Sequence, residues 1–234
     1  MLFDLDGVIT DTAAIHRACW KETFDAYLLA RAEAHGERFR PFDEEDYLRY
    51  VDGRPRYDGV RAFLASRGIE LPEGDPSDAA DAETVCGLGN RKNDRVGPAI
   101  TEKGVDVFPG SLAWLEQLRA AGFRTALVSA SANAATVLEV TGLLDAFEVR
   151  VDGCVLAAEG IAGKPAPDSF LEAARRLGVP PERAVVVEDA RSGVEAGRAG
   201  SFGLVIGVAR HGDAAALRDA GADRVVDDLG ELVA

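Results

Sequence analysis

Short apolar runs rich in β-branched residues recur along this chain, and most of them end in small or acidic residues. Such runs are typical of strands that are buried on both faces of a parallel sheet. Six runs are expected to be strands, at residues 1–6, 125–131, 147–151, 184–190, 202–208 and 224–228. Segments with helical spacing, such as SLAWLEQLRAAG and SFLEAARRLG, lie between strands and end in a glycine that can cap a helix. This alternation predicts a doubly wound α/β fold.

The stretch after the first predicted strand lacks this pattern. Residues 13–95 are charged and rich in Ala, Arg and Glu, and they include the loop-like segments RFRPFDEED and ELPEGDPSDAAD. We therefore expect a mostly helical domain at 13–95 that is inserted into the first crossover. Residues 1–12 and 96–234 are expected to form the Rossmann-like α/β core.

The charge of the chain restricts its partners. The sequence has 40 acidic and 26 basic residues, a formal net charge of −14, which would repel nucleic-acid phosphates and anionic lipids. A small molecule is therefore the expected partner, without nucleic acid or membrane. The 3 cysteines have no metal-ligand spacing, which favours a reduced, cytoplasmic location, and we expect a monomer. Met1 lies close to the first strand end, and the sequence leaves open whether a residue or two precedes it.

Two carboxylates stand where the first predicted strand ends. Asp4 and Asp6 are two positions apart, so on an extended chain their side chains point the same way. Like charges this close must be neutralised by a proton or a cation. The pair therefore suits a metal-bound nucleophile beside a general acid/base.

Other predicted strand ends and loops supply further polar groups. Ser129-Ala130-Ser131 can offer a hydroxyl and backbone N–H groups to phosphate oxygens, and Lys164 is a candidate point charge against both a phosphate and Asp4. Glu188 and Asp189 are hard oxygen ligands of the kind that Mg²⁺ prefers. Together these groups predict a phosphoryl-transfer site.

Each feature has a second interpretation when it is taken alone. An Asp-x-Asp pair is common in solvated turns and helix caps, Ser129 also fits a cap, and Lys164 fits a surface charge. The joint interpretation is favoured because one sheet can bring all these segments together. Asp227 and Asp228 also follow a strand, but they duplicate a role already filled, and we expect them to be structural or solvated.

Four segments, FDLDGVITDT at 3–12, VSAS at 128–131, GKPAPD at 163–168 and VVEDA at 186–190, together resemble the motifs of the haloacid dehalogenase-like hydrolase superfamily. The inserted helical domain corresponds to the cap of its subclass I. The resemblance implies that Asp4 forms an aspartyl phosphate, that Asp6 is the general acid/base, and that Ser129 and Lys164 hold the phosphoryl group. It also implies Mg²⁺ as the cofactor, with a metal site made of Asp4, the Asp6 carbonyl, Asp189 and the neighbouring Glu188.

Within that superfamily the chain is similar to the β-phosphoglucomutase family. DGVITDTAAIHRACWK at 6–21, SAS at 129–131 and RKND at 91–94 carry this resemblance. It implies that the following residues bind a sugar phosphate: Thr12, His16, Trp20, Arg56, Lys92, Ala130 and Ser131. Arg54 is the alternative to Arg56 as the residue that binds the distal phosphate.

The histidines also have an ordinary structural interpretation. His16 fits a helix-face residue that packs against Trp20 four positions later. His35 and His211 have no companion residues and are expected at the surface.

The resemblance implies interconversion of β-D-glucose 1-phosphate and glucose 6-phosphate through β-glucose 1,6-bisphosphate. Two alternatives stay open. The same core residues would serve a sugar-phosphate or phosphoglycolate phosphatase if water replaced the sugar hydroxyl as acceptor. A catalytically silent binding module could also keep the fold, although the intact motifs argue against it.

Overall fold

All six predicted strands form one parallel sheet in the computed structural model, which describes residues 1–210 and 214–233. The order β3-β2-β1-β4-β5-β6 is that of a doubly wound α/β sheet, as predicted. The strands are β1 (Leu2–Phe3), β2 (Ala126–Val128), β3 (Val149–Val151), β4 (Val185–Glu188), β5 (Leu204–Val208) and β6 (Arg224–Val226). Each is shorter than its apolar run, and in β1, β2, β4 and β6 the polar residues at the carboxyl end of the run lie outside the strand or at its last position.

Helices occupy the segments between the strands and the long segment after β1. They are α1 (Ala13–His35), α2 (Glu44–Asp46), α3 (Arg56–Ser66), α4 (Val85–Lys103), α5 (Pro109–Ala120), α6 (Ala134–Val140), α7 (Gly153–Glu159), α8 (Asp168–Leu177), α9 (Arg191–Ala199) and α10 (Ala214–Asp219). Side-chain caps begin α4 at Thr84 and α7 at Asp152, and Gly178 ends α8 in the left-handed conformation. Among the described residues, no helix is both long and apolar enough to cross a membrane.

The chain divides into two compact units. The sheet unit comprises Met1–Thr12, Gly53–Pro55 and Val105–Ala234, and the helical unit comprises Ala13–Asp52 and Arg56–Gly104. The domain boundary that we placed at residue 95 therefore falls inside α4. Gly97 and Pro98 disfavour a helix, but Val96 and Ile100 beside them are buried, and this packing carries α4 on to Lys103.

The helical unit has its own aromatic core. Phe24 lies at its centre, with ring centroids 5.0 Å from Trp20, 5.1 Å from Phe42 and 4.2 Å from Phe63. Aromatic pairs at these distances stabilise a core beyond the effect of their buried area. The sequence between α1 and α4 is therefore more than a charged connection, since it supplies the rings that hold α1 against α3.

One ion pair of the helical unit is buried. Arg67 pairs with Asp46, and their side chains are only 8% and 7% exposed. Arg67 also donates to the carbonyls of Arg40 and Pro41 and lies over the Phe63 ring. The guanidinium therefore connects the end of α3 to the loop that precedes α2.

Replacing Arg67 with alanine should leave the Asp46 carboxylate buried without its cation. We expect the free energy of unfolding, measured by urea denaturation, to fall by about 3–5 kcal/mol. Arg61→Ala is the matched control, because its pair with Glu73 is 45% and 53% exposed and such pairs contribute about 1 kcal/mol or less. Equal losses in the two variants would contradict a special role for the buried pair.

Candidate active site

Three carboxylates meet at the carboxyl ends of β1 and β4. Phe3 pairs with Val187, so Asp4 and Glu188 leave neighbouring strands at the same level, and the Asp4 N–H donates to the Val187 carbonyl at 3.0 Å. Carboxylate oxygens of Asp4, Glu188 and Asp189 all lie within 4.8 Å of one another. This is also the point where the strand order reverses, which is the usual ligand position in such sheets.

The ammonium group of Lys164 lies buried among these carboxylates. Its Nζ is 2.5 Å from Asp4 Oδ1, 2.5 Å from Glu188 Oε1 and 3.1 Å from the Val128 carbonyl. It also lies 5.0 Å from the ring of Phe170, a buried residue that had no functional signal in the sequence. Lys164 is thus a charge inside the site and not a surface charge.

Burial and the charge of the partner shift the pKa values of Asp4 and Lys164 in opposite directions. Burial raises the pKa of the Asp4 carboxyl well above its ordinary value; Lys164 opposes this shift, while Glu188 and Asp6 add to it. Burial alone would lower the pKa of Lys164, but the attraction of Asp4 and Glu188 raises it above its ordinary value. Lys164 therefore keeps its proton and provides a permanent positive charge beside Asp4.

Asp6 is held by hydroxyl groups. The Thr12 hydroxyl donates to its Oδ1, and the Ser129 hydroxyl donates to its Oδ2 at 3.3 Å. Ser129 in turn accepts from the Ser131 N–H at 3.1 Å. A general acid/base needs a fixed orientation, and these contacts supply one. They also place Thr12 and Ser129, from two predicted motifs, against the same carboxylate.

Gly7 brings the turn after Asp6 against the metal-ligand candidate Asp189. Its φ of +92° lies in the region that favours glycine, and its N–H donates to the Thr10 carbonyl at 2.7 Å. A Cβ atom at Gly7 would overlap the carboxylate of Asp189. Glycine is therefore required here both for the backbone conformation and for the close approach.

The site has the composition of a divalent-cation site. Asp4, Asp6, Glu188 and Asp189 carry four negative charges when ionised, and Lys164 offsets one of them. The cluster of Asp4, Glu188 and Asp189 offers the hard oxygen atoms that Mg²⁺ prefers. Both oxygens of Glu188 already have partners, Lys164 and the Ala190 N–H, so Glu188 also fixes the lysine and the turn after β4.

The helical unit brings three other predicted residues together. Lys92 Nζ lies 2.7 Å from His16 Nδ1 and 5.0 Å from the Trp20 ring centroid, and all three side chains are buried. His16 thus has a charged partner from another helix, and its expected packing on Trp20 stays a prediction. The Lys92 ammonium joins α4 to α1 through this contact.

The two candidate arginines lie in different units. Arg56 opens α3 in the helical unit, where its guanidinium lies 3.4 Å from Asn90 Oδ1 and 5.1 Å from the Tyr57 ring centroid. Arg54 lies in the short Gly53–Pro55 segment of the sheet unit. Ala130 lies half-buried between Ser129 and Ser131.

The acidic pair after β6 and two of the histidines were given no catalytic role. Asp228 caps the 3-10 turn Leu229–Leu232 and pairs with Arg210, and Asp227 is exposed, so this acidic pair is structural and solvated as expected. His35 is exposed, and His211 lies outside the described residues.

The sequence analysis missed two residues that contact the candidate site residues or leave room for them. The Thr10 hydroxyl lies 3.1 Å from that of Thr12, and a Cβ at Gly193 would overlap the side chain of Glu188. Thr10 lies inside the first motif, FDLDGVITDT at 3–12, where it could have been noticed. Gly193 lies inside a helix with no local signal, because its role comes from contact with a neighbouring strand.

Comparisons with known proteins agree on the family. A family model described as haloacid dehalogenase-like hydrolase matches residues 1–200. A Mycobacterium tuberculosis protein named β-phosphoglucomutase is 58% identical over 236 aligned residues, which cover 99% of this chain and 90% of that protein.

Solved structures show the same architecture. A β-phosphoglucomutase from Clostridium difficile superposes with a TM-score of 0.75 at 27% identity, covering 99% of this chain and 91% of that one. A CbbY variant from Rhodobacter sphaeroides, in complex with xylulose-(1,5)bisphosphate, gives a TM-score of 0.72 at 26% identity, with coverage of 99% and 94%.

A Gly7→Ala substitution should disturb the metal-ligand candidates directly. The added Cβ would push Asp189 away while also straining the backbone, so we expect divalent-cation affinity, measured by titration calorimetry, to fall at least ~10-fold. Gly122→Ala is the control, since Gly122 has a φ of +81° but open space around its Cβ position. Equal cation affinity in both variants would contradict the close approach of Gly7 to Asp189.

Proposed function

The chain belongs to the haloacid dehalogenase-like hydrolase family, and we propose that it is a β-phosphoglucomutase that interconverts β-D-glucose 1-phosphate and glucose 6-phosphate. The observation that carries this proposal is the 58% identity to a protein of that name over nearly the whole of both chains. The buried cluster of Asp4, Lys164 and Glu188 supplies the chemistry that such an activity needs.

Asp4 is the nucleophile in this proposal. Lys164 contacts its Oδ1, which leaves Oδ2 for attack on phosphorus. A bond forms between this oxygen and the phosphorus, and the bond from phosphorus to the sugar oxygen breaks with its electron pair on that oxygen. The charge on Lys164 then lies next to the phosphoryl oxygens, where it stabilises the charge that develops during transfer.

Asp6 moves the proton. When a sugar hydroxyl attacks phospho-Asp4, Asp6 removes its proton, and in the reverse direction Asp6 returns a proton to the leaving oxygen. Contacts with Thr12 and Ser129 hold both carboxylate oxygens of Asp6 in place. The β-glucose 1,6-bisphosphate intermediate must then turn over in the site, so that its other phosphate reaches Asp4.

We propose Mg²⁺ as the cofactor, held by Asp4, Asp189, the backbone carbonyl of Asp6 and, beside them, Glu188. The donor set and the excess of negative charge support this assignment. When bound, Mg²⁺ neutralises the carboxylates so that a phosphate can approach Asp4. A cytoplasmic, monomeric enzyme stays a prediction, and the three free cysteines fit a reducing compartment.

We propose that the helical unit acts as the cap and determines whether a sugar hydroxyl or water accepts the phosphoryl group. His16, Lys92 and Trp20 form its buried polar cluster, and we propose that they couple sugar binding to exclusion of water. Arg56 is proposed to bind the distal phosphate, with Arg54 as the alternative. A sugar-phosphate or phosphoglycolate phosphatase is the second candidate, because the same core residues would transfer the phosphoryl group to water if water reached phospho-Asp4.

Asp4→Asn should abolish turnover, because the amide is not a nucleophile for phosphorus. The assay supplies β- or α-glucose 1-phosphate with Mg²⁺ and a trace of bisphosphate, and measures glucose 6-phosphate and free phosphate. We expect the β anomer alone to be isomerised, at a rate at least ~10⁴-fold lower in Asp4→Asn. Asp227→Asn, at an exposed aspartate after β6, should keep wild-type activity. Phosphate release without isomerisation in the wild type would select the phosphatase.

Lys92→Met should shift the acceptor from sugar to water. The substitution keeps the apolar stem but removes the ammonium next to His16 and the Trp20 ring. We expect the ratio of phosphate release to isomerisation to rise roughly 10-fold or more, because a less firmly closed site admits water. Lys21→Met is the control, since Lys21 is half-exposed on α1. The same ratio in both variants would refute the assignment of Lys92.

A further inference from the structure

Three consecutive carbonyl groups after Asp6 are all bound by groups from distant parts of the sheet unit. The Gly7 carbonyl accepts from Arg210 Nε at 3.3 Å, and the Val8 carbonyl accepts from the Ser111 hydroxyl at 2.6 Å. The Ile9 carbonyl accepts from the Phe108 N–H at 3.0 Å. Val8 and Ile9 are fully buried, so their carbonyls need these partners.

Arg210 makes the first of these bonds and contacts the two residues, Ser111 and Phe108, that make the others. Besides the Gly7 carbonyl, it donates to the Ser111 hydroxyl at 2.7 Å, and its guanidinium lies 3.9 Å from the Phe108 ring centroid. Its remaining side pairs with Asp228, and the Arg210 side chain is only 8% exposed. One guanidinium thus fixes the turn after Asp6, the start of α5 and the C-terminal turn together.

We propose that Arg210 is a positioning residue for Asp6. The side chain of Asp6 is held by Thr12 and Ser129, but its backbone leads directly into the turn that Arg210 binds. A shift of this turn would move Asp6 and also the contact between Gly7 and Asp189. The inference rests on the proposed function in one respect, namely that Asp6 transfers the proton.

Arg210 is proposed to position Asp6 through the directions of its hydrogen bonds and not through its charge. Its charge is matched by Asp228, so it adds little net charge near the catalytic carboxylates. The planar guanidinium can donate to three acceptors in fixed directions and lie flat on a ring, whereas a lysine ammonium is a point charge on a flexible stem. Lysine should therefore be a poor replacement, even though it keeps the charge.

The test compares Arg210→Ala and Arg210→Lys with the wild type at saturating Mg²⁺. We expect kcat to fall roughly 10- to 100-fold in both variants with KM changed little, because a small misplacement of a catalytic group has effects of this size. Millimolar guanidinium chloride, far below denaturing concentrations, should restore part of kcat in Arg210→Ala, while sodium chloride should not. Arg198→Ala, which removes an exposed pair with Asp223, is the matched control and should keep wild-type kcat.

Two results would overturn the assignment. One is a wild-type kcat in Arg210→Ala; the other is a loss of kcat that guanidinium does not reverse and that matches the loss of folded protein measured by circular dichroism. If Arg210→Ala does not fold, Arg210→Lys and Ser111→Ala decide, since both should lower kcat while the protein stays folded. If the wild type releases phosphate without isomerising glucose phosphate, the proposed mutase function fails, but the same comparison of Arg210 variants is made on phosphate release.

Discussion

The ammonium group of Lys164, buried between Asp4 and Glu188, is the interaction on which the site depends. A buried lysine is costly without anionic partners, and neighbouring buried carboxylates are costly without a cation, so each group makes the others possible. Because the three residues come from the ends of β1 and β4 and from the loop before α8, this contact also fixes those segments relative to one another. The arrangement still leaves negative charge in excess, which is why we propose that a divalent cation completes it.

A second buried lysine belongs to the helical unit. Lys92 lies against His16 and the Trp20 ring, in a unit whose centre is otherwise a cluster of aromatic rings. In the proposed function the sheet unit holds the groups that transfer the phosphoryl group, and the helical unit holds a buried cation of its own. In the proposed function this division matters, because core residues are shared by mutases and phosphatases while the acceptor is chosen elsewhere.

Much of the sheet unit could be predicted from sequence because its signals are local. Each strand is an apolar run, and Asp4, Ser129 and Glu188 lie next to such runs, so the sheet alone brings them together; the family that these motifs indicated is confirmed. The end of α4 could not be predicted, since burial of Val96 and Ile100 overrides the local effect of Pro98. Arg210 and Ser111 were missed because they meet the turn after Asp6 only through tertiary contacts, far from it in sequence.

Chemical trapping of the phosphorylated residue tests the central claim most directly. The wild-type protein is mixed with β-glucose 1,6-bisphosphate and Mg²⁺, quenched, treated with borohydride to reduce any acyl phosphate to an alcohol, and analysed by peptide mass spectrometry. The account predicts that homoserine replaces aspartate at Asp4, and that this product requires the bisphosphate. Homoserine at another aspartate, or none while isomerisation proceeds, would contradict Asp4 as the residue that carries the phosphoryl group.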